Sequence, residues 1–303
     1  EVAILMGCYF GQDYLAAQLD SIQAQSYRLW KVWAADDGST DATPELLERY
    51  QASWGRDRLA VRRGPQQGFV ANFLALVCDD GIQADYFAYS DQDDVWAPEK
   101  LANAVAWLAS VPAGIPALYC SRTRLFKGAR TVGCSPRHRR PPSFANALVQ
   151  NIAGGNTMVF NRAARRLLAH AGPDVKVVAH DWWTYIVVTA CGGQVHFDEQ
   201  MTVDYRQHED NQIGAGNGWA FLVRRIEGFF NARFRCWVDG NLVALERLGA
   251  CLSPESKRIF ALFSAARKGG LSARLSGLLR SGVHRQTAGG NCGLLIAALF
   301  NRI

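Results

Sequence analysis

Apolar runs of strand length alternate with segments of helical periodicity along the first 110 residues. Residues 2–6 form an apolar run that is short enough for a buried strand. Leu15, Leu19 and Ile22 then recur at the spacing of one face of a helix. Three similar pairs of a predicted strand and a predicted helix follow. In the second helix of the sequence, Thr43 before Pro44 is typical of a helix cap with proline in the first turn. Four such units predict an α/β fold with a mostly parallel sheet covered by helices on both faces. The predicted strands are 2–6, 31–35, 59–61 and 86–89, and the predicted helices are 13–25, 43–50, 69–77 and 98–108.

The pattern changes after a further apolar run at residues 117–120. Residues 122–142 are rich in arginine and proline, which predicts an irregular, mobile loop instead of another strand and helix. Beyond residue 218 the periodicity is helical to the end of the sequence. The region between is predicted to contain helices at 163–170 and 181–190 and two short strands within 194–205.

Composition excludes several classes of protein. Of the 303 residues, 49% are hydrophobic and 20% are charged, which is typical of a folded globular chain and excludes disorder, collagen and coiled coils. No basic leader follows Glu1 and no apolar run is long enough to span a bilayer, so we expect a cytoplasmic protein. Eight scattered cysteines include no C-x-x-C pair, which predicts buried reduced thiols and neither zinc nor disulfides.

Charge is distributed unevenly along the chain. Residues 215–303 carry 13 Lys and Arg against 4 Asp and Glu, whereas residues 1–214 carry 20 against 23. We therefore expect a domain at 1–214 that handles a small molecule and a basic helical region at 215–303 that meets an anionic surface. Arginines and aromatic residues interleave at 221–237, which fits peripheral binding to the inner face of the cytoplasmic membrane and fits equally helices packed on their own domain. No recognised motif supports a nucleic-acid partner.

Acidic residues follow two of the predicted strands. In a parallel sheet, ligands bind beyond the carboxyl ends of the strands, where this sequence has Asp36-Asp37-Gly38-Ser39-Thr40-Asp41 and Ser90-Asp91-Gln92-Asp93-Asp94. Six carboxylates at one edge repel one another unless a cation intervenes, which predicts a bound Mg²⁺ or Mn²⁺. The first segment is also typical turn chemistry, so a purely structural role stays open for it.

The motifs, in this order, resemble the family 2 glycosyltransferases of GT-A fold. The resemblance covers residues 2–214 and begins with a Tyr-containing loop after the first strand and the two acidic segments. Further on, His180-Asp181-Trp182-Trp183 and Tyr205-Arg206-Gln207-His208 with Asn211 are similar to later motifs of the bacterial rhamnosyltransferase branch, which uses dTDP-rhamnose to build O-antigen and related surface glycans. The resemblance implies an inverting, metal-dependent transfer of L-rhamnose to a hydroxyl of a saccharide or lipid-linked saccharide acceptor.

The resemblance also implies roles for individual donor-binding residues. Asp93 would ligate the metal, which stabilises the charge that develops on the β-phosphate as the sugar leaves. Asp91 would hold the ribose or the donor sugar, with Asp94 supporting the site. The further implied contacts are Tyr9 and Asp36 to the nucleotide base, Asp37 as an additional donor-binding candidate, and Arg206 and His208 to the diphosphate.

Inversion needs a base on the side of the anomeric carbon opposite the leaving group. Asp181 is the candidate, since it begins an apolar helix whose dipole would lower its pKa and keep its carboxylate ionised. The same position fits a plain helix cap, and that alternative stays open. Gly155 and Asn156 fit either a sugar or acceptor pocket or a plain turn, and Trp182 is assigned to the same pocket.

Two other functions fit parts of the sequence. Asp37-Gly38-Ser39-Thr40 superficially resembles the nucleophile motif of haloacid-dehalogenase-type phosphohydrolases, but Ala35 occupies the position of the nucleophile, which closes the covalent route. A non-catalytic sugar-nucleotide or glycan-binding module would need the segment around Asp91 but not Asp181. Donor hydrolysis in the presence of metal distinguishes such a module from an enzyme.

Overall fold

The computed structural model describes residues 1–128, 130–207 and 233–303. Strands and helices alternate through the first 110 residues, as the apolar pattern predicts. The strands are β1 (Val2–Cys8), β2 (Trp30–Asp36), β3 (Leu59–Arg63), β4 (Tyr86–Asp91), β5 (Val95–Trp96), β6 (Ala117–Lys127), β7 (Arg130–Cys134), β8 (Val159–Asn161) and β9 (Gln194–Arg206). The helices are α1 (Leu15–Gln23), α2 (Thr43–Trp54), α3 (Phe69–Cys78), α4 (Lys100–Ala109), α5 (Phe144–Ala147), α6 (Arg162–Ala171), α7 (His180–Ala190), α8 (Arg233–Glu246), α9 (Pro254–Lys268), α10 (Leu271–Ser281) and α11 (Ala288–Leu299), with a 3₁₀ turn at Gly155–Thr157.

The described strands form one mixed sheet in the order β3-β2-β1-β4-β8-β6-β9-β5, with β7 paired to β6. The β3, β2, β1 and β4 strands are parallel, which confirms the prediction for the first half of the chain. The β8 strand is antiparallel to both β4 and β6, whereas β6 and β9 are parallel. The later strands therefore extend the parallel half into a mixed sheet.

Alternate residues of β1 face two hydrophobic clusters on opposite sides of the sheet. Ala3 and Leu5 pack in one cluster with α3, α6 and α7, whereas Val2, Ile4 and Met6 pack in the other with α1, α2 and α4. This confirms the predicted cover of helices on both faces. Buried residues of α8, α9, α10 and α11 belong to the first cluster, so the C-terminal helices share a core with the sheet.

Residues 122–142 are more ordered than the sequence predicts. The β6 strand continues to Lys127 and forms a hairpin with β7, so the irregular segment shrinks to the residues after Cys134. Arg122 is buried within β6, where its guanidinium donates to the Ser135 carbonyl oxygen at 2.7 Å. The prediction is wrong for residues 122–134, because the buried guanidinium of Arg122 is satisfied across the hairpin, which lets an arginine lie within a strand.

Smaller predictions also need correction. Residues 194–206 form one strand whose register shifts against β6, not two short strands. Thr43 is the first residue of α2 and not its cap, and its hydroxyl accepts instead from the Gly11 amide at 2.8 Å. All eight cysteines are free, as predicted, but Cys134, Cys236 and Cys292 are exposed.

The helical periodicity predicted beyond residue 218 is confirmed where the chain is described, by the helices α8 to α11. The predicted boundary at residue 214 lies outside the described residues. None of the helices within 1–207 or 233–303 combines the length and the apolar character needed to cross a membrane.

Candidate active site

The carboxyl ends of three parallel strands meet at one edge of the sheet. The β1 strand lies between β2 and β4, and its register pairs Cys8 with Asp36 and Gly7 with Asp91. The two acidic segments therefore lie on either side of the loop that starts at Tyr9. This edge is where a parallel sheet binds its ligands.

Hydrogen bonds join the Tyr9 loop to both acidic segments. The Gln92 side chain accepts from the Tyr9 amide at 2.8 Å and donates to the Tyr9 carbonyl oxygen at 2.6 Å. On the other side, the Phe10 amide donates to Ser39 Oγ at 2.9 Å, and the Ser39 amide donates to Asp36 Oδ2 at 3.0 Å. Tyr9 itself is 56% exposed and packs edge-on against Phe10, so its ring is available to stack on a ligand.

Asp91, Asp93, Asp94 and Asp181 form an acidic cluster at this edge. Burial, and then the charges of Asp93 and Asp181, raise the pKa of the Asp91 carboxyl to about 7. Burial and the charges of Asp91 and Asp93 raise the pKa of Asp94 well above its usual value. Burial also raises the pKa of Tyr205, and all four carboxylates add to that effect, so Tyr205 lies within reach of the whole cluster.

The 3₁₀ turn holds two members of the acidic cluster. The Asn156 side chain donates to Asp94 Oδ2 at 2.6 Å, and the Gly155 amide donates to Asp181 Oδ2 at 3.0 Å. A Cβ at position 155 would come within 2.9 Å of His180 Nε2 and 3.1 Å of the Asp181 Cβ, so the close approach needs glycine. Gly155 and Asn156 thus orient two carboxylates, and their assignment to a sugar or acceptor pocket stays a prediction.

Arg206 brings a positive charge to the same place from the end of β9. Its Nε donates to the Asp93 carbonyl oxygen at 3.0 Å. Its guanidinium lies 4.7 Å from the centre of the Tyr14 ring and 4.6 Å from that of Phe126. His208, expected beside the diphosphate, lies outside the described residues, as does Asn211.

Asp181 is the second residue of α7, whose cap is Ala179. Its Oδ1 accepts from the Trp182 amide at 2.6 Å and its Oδ2 accepts from Gly155, so the side chain joins the helix to the 3₁₀ turn as well as bonding the first helical turn. Burial raises the pKa of Asp181, although these hydrogen bonds oppose the shift. The expectation that the helix dipole lowers this pKa is wrong, because burial outweighs it.

Three residues expected at the site serve the surrounding structure. Asp37 is buried and accepts from two backbone amides of the loop before α3, at 2.6 and 2.9 Å. Asp41 accepts from two backbone amides at 3.1 and 3.2 Å. Trp182 is only 7% exposed and its Nε1 donates to the Ala147 carbonyl oxygen at 2.6 Å, so most of its ring packs in the core.

The aspartates do not complete a metal site by themselves. Within the described residues, no group of three or more His, Cys, Asp or Glu is placed to hold a metal ion. A metal that also binds substrate phosphates needs only one or two protein carboxylates, which Asp91 and Asp93 offer. Burial and the charge of Asp93 raise the pKa of Asp91, a sign of excess negative charge, so the oxygen-rich donor set fits a divalent cation shared with an anionic ligand.

Two residues of the site were not identified from the sequence. Gln92 lies between Asp91 and Asp93, and this position inside the acidic segment is the signal that could have identified it as a site residue. Lys100 is fully buried in α4, with its Nζ 3.5 Å from the centre of the Trp96 ring. Burial lowers its pKa to about 7, and the charge of Asp94 opposes the shift. In sequence, Lys100 resembles any lysine at the start of a surface helix.

The acidic cluster and the exposed Tyr9 ring thus lie at the carboxyl edge of a parallel sheet, where α/β proteins bind their ligands. The family model described as "Glycosyl transferase family 2" matches residues 3–168, more than half of the chain. The chain belongs to the family 2 glycosyltransferases, which confirms the resemblance seen in the sequence.

Individual relatives resemble the chain at 25–28% sequence identity. The chain is 25% identical over 228 residues to the dTDP-rhamnosyl transferase RfbG of Shigella flexneri. The matched residues make up 73% of this chain and 78% of RfbG. Three mycobacterial proteins are 28% identical over 210 residues, and the match spans 59% of their length.

Two solved structures show the fold. The S. aureus TarS fragment 1–349 in complex with UDP-GlcNAc aligns with a TM-score of 0.58 at 14% identity, covering 100% of this chain and 88% of that chain. The mannosyltransferase PcManGT from Pyrobaculum calidifontis, in complex with GDP-Man and Mn²⁺, aligns with a TM-score of 0.52 at 20% identity, covering 99% and 85%. The GT-A fold with C-terminal helices is therefore confirmed.

Proposed function

We propose that the protein transfers L-rhamnose from dTDP-rhamnose to a hydroxyl of a saccharide or lipid-linked saccharide, with inversion at the anomeric carbon. The observation that carries this proposal is the convergence of Asp181 with the Asp91–Asp94 segment at the edge where Tyr9 is exposed. A base, a group of oxygens that holds the metal and a ring that stacks on the nucleotide base would then share a single site.

Comparison with relatives supports the choice of donor. RfbG is a dTDP-rhamnosyl transferase, and its similarity extends over 73% of this chain. TarS and PcManGT were determined with UDP-GlcNAc and GDP-Man, which supports a nucleotide sugar as the class of donor. In this chain Tyr9 would stack on the base, and Asp36 would lie beside the nucleoside at the end of the neighbouring strand.

The donor diphosphate would meet the acidic cluster through a divalent cation. Asp93 would ligate Mg²⁺ or Mn²⁺, with Asp91 next to it and Asp94 fixed by Asn156. When bound, the ion supplies stabilisation of the charge that develops on the leaving diphosphate. Arg206 would add a second positive charge, since its guanidinium already lies beside the Asp93 carbonyl.

Asp181 would remove the proton from the acceptor hydroxyl. Burial raises the pKa of this carboxyl and so strengthens it as a base in its ionised form. Its hydrogen bonds to Gly155 and Trp182 hold the carboxylate in one orientation, which is what a positioned base requires.

The test separates donor binding from transfer. Asp181→Asn keeps the shape of the side chain but cannot accept the proton, so we expect transfer to fall by about 10²- to 10⁴-fold while donor binding persists. A panel of sugar nucleotides with Mn²⁺ is assayed by protection against thermal unfolding, and dTDP-rhamnose should protect most. Asp57→Asn, an exposed aspartate distant in sequence from the site, is the control and should retain full transfer.

Three outcomes would contradict the proposal in different ways. Substantial turnover in Asp181→Asn would remove Asp181 as the base. Stronger protection by another sugar nucleotide would replace rhamnose as the donor sugar. Donor binding without transfer or hydrolysis in the native chain would favour a non-catalytic binding module.

A further inference from the structure

The last helix carries an exposed apolar face. Cys292, Leu295, Ile296 and Leu299 recur at the spacing of one side of α11, and all four are exposed. The opposite side of the helix packs into the core through Leu294, Ala297 and Ala298. We call the four exposed positions the α11 face.

The α11 face is unusually free of charge for a surface helix. Residues 288–299 contain no Asp, Glu, Lys or Arg. A surface helix normally turns a polar side to water, so a contiguous apolar side marks a surface that meets something apolar. The preceding helix α10 also has exposed leucines, at positions 271 and 279, which are 49% and 71% exposed.

Arginines lie at both ends of this helix. At its start, the Arg140 amide donates to Gln286 Oε1 and the Gln286 side chain donates to the Arg140 carbonyl oxygen, each at 3.0 Å. At its end, Arg235 Nη1 donates to the Asn301 carbonyl oxygen at 2.9 Å, and Arg302 is exposed. Three separate segments therefore bring arginines to the two ends of the helix, Arg140 through its backbone and Arg235 with its Nε 3.9 Å from Asp239 Oδ2.

The surrounding sequence has one sign of charge. Residues 256–303 contain eight Lys and Arg and no Asp or Glu, and all of the eight except the buried Arg267 and Arg274 reach the surface. Two copies of this surface would repel each other, whereas anionic phospholipid headgroups would attract the basic border while their acyl chains accept the leucines. The complementarity thus favours a lipid surface over a second copy of the chain.

We propose that the α11 face docks on an anionic phospholipid bilayer, with Leu295, Ile296 and Leu299 inserted at the headgroup boundary and the bordering arginines on the headgroups. This places the contact at α11, more than fifty residues after the arginine and aromatic segment at 221–237. The docking does not depend on the sugar or acceptor proposed above, and it keeps the protein on the surface without a spanning helix.

The experiment is co-sedimentation of the full chain with vesicles of phosphatidylethanolamine containing about one-third phosphatidylglycerol, a bacterial-type anionic surface. Ile296→Ser with Leu299→Ser removes two inserted side chains without changing charge, and we expect vesicle affinity to fall about tenfold or more. The control is Leu29→Ser with Val243→Ser, two aliphatic residues that lie outside the α11 face and are more exposed than Ile296 and Leu299, at 64% and 66% against 43% and 48%. This control should bind as the native chain does. Binding should also weaken at high salt and on pure phosphatidylcholine.

Three other outcomes would contradict the proposed docking of the α11 face on lipid. Equal sedimentation of the Ile296 and Leu299 double variant and the native chain would show that α11 makes no lipid contact. Equal losses in the double variant and its control would show a non-specific effect of apolar side chains. Dimerisation without lipid that the double variant abolishes, with no vesicle binding by the native chain, would assign the α11 face to a second copy. Donor protection in the double variant should stay native, which separates this test from that of the proposed transferase.

Discussion

Gln92 is the residue through which the Tyr9 loop and the acidic cluster are held at a fixed distance. Its side-chain amide accepts from the Tyr9 amide and donates to the Tyr9 carbonyl oxygen, as the backbone of a neighbouring strand would. Gly11 packs against it so closely that a Cβ at position 11 would overlap the Gln92 side-chain amide. Gly11 and Gln92 therefore form one unit, although 81 positions separate them.

This packing predicts non-additive substitutions. Gln92→Ala should destabilise the protein by about 1–2 kcal/mol through two lost hydrogen bonds, and Gly11→Ala should cost about 1–3 kcal/mol because it displaces the Gln92 amide. The double variant should be no less stable than Gln92→Ala alone, since the obstruction is gone. Urea unfolding measures all three, with Gly114→Ala as the control, because a Cβ at Gly114 meets nothing within 4 Å. Additive losses would show that the two residues do not interact.

Asp91 predicts a pH dependence of stability. Burial and the charges of Asp93 and Asp181 raise its pKa to about 7 in the folded protein, whereas the unfolded chain has a value of about 3.9. Between these values the folded state holds a proton that the unfolded state releases, so this group's contribution to stability falls as pH rises towards 7. Asp91→Asn removes the titration. In the presence of a chelator, we expect the variant to be more stable than the native chain by a larger margin at pH 8 than at pH 5, and about equal to it only below about pH 4, where Asp91 is protonated in both states.

Thermal unfolding across that pH range measures the difference between the two chains, so the titration of other groups largely cancels. A constant difference in Tm from pH 5 to pH 8 would contradict the raised pKa. A greater advantage for Asp91→Asn at pH 5 would mean that the shift has the opposite sign.

At the scale of elements, Asn161 connects a strand, a helix and a loop. It ends β8 and caps α6, where its Oδ1 accepts from the Ala164 amide at 3.0 Å. The same oxygen accepts from the Ala117 amide at the start of β6, and its Nδ2 donates to the Ile115 carbonyl oxygen at 2.7 Å. One buried amide thereby fixes α6 relative to two adjacent strands of the mixed half of the sheet.

Asn161→Ala should therefore destabilise the protein by about 2–3 kcal/mol, more than the loss of a helix cap alone. Asn161→Ser can still cap α6 but cannot reach Ile115, so it should recover about half of the loss. Ser253→Ala, which removes the cap of α9 together with a local hydrogen bond to Ser256 Oγ, is the comparison and should cost about 1 kcal/mol. Denaturant unfolding gives the three values. Equal losses for Asn161→Ala and Ser253→Ala would show that the links to β6 contribute nothing.

The parallel half of the sheet could be predicted from the sequence because its signals are local. Each strand is a continuous apolar run, and parallel topology alone brings Asp36 and Asp91 to neighbouring strand ends. The hairpin of β6 and β7 could not be predicted, because the burial of Arg122 depends on Ser135 across the turn. The same limit applies to Asp181, whose pKa is set by burial among distant segments and not by the start of its own helix.

At the scale of the whole molecule, the sheet and the C-terminal helices are joined by one hydrophobic cluster. Leu242, Ile259, Phe263 and Leu294, one or two from each of three C-terminal helices, are buried in the same cluster as Leu5 of β1. Polar contacts reinforce the junction, since Arg247 pairs with Asp174 at 2.6 Å and the Ser253 amide donates to the Ala190 carbonyl oxygen at 3.0 Å. The charge difference between 1–214 and 215–303 therefore does not correspond to a separation of cores.

A chain ending at residue 214 should consequently fail to fold as a stable unit. Each large aliphatic or aromatic side chain removed from the cluster takes away about 1.5–3 kcal/mol of burial, and several together exceed the roughly 5–15 kcal/mol that stabilises a typical domain. The full chain should unfold in one calorimetric transition, with no separate step for the basic helices. The shortened chain should aggregate or elute as an expanded species on gel filtration. A monomeric shortened chain with a sharp transition would instead establish residues 1–214 as an independent domain, and the basic helices would then be an appendage to it.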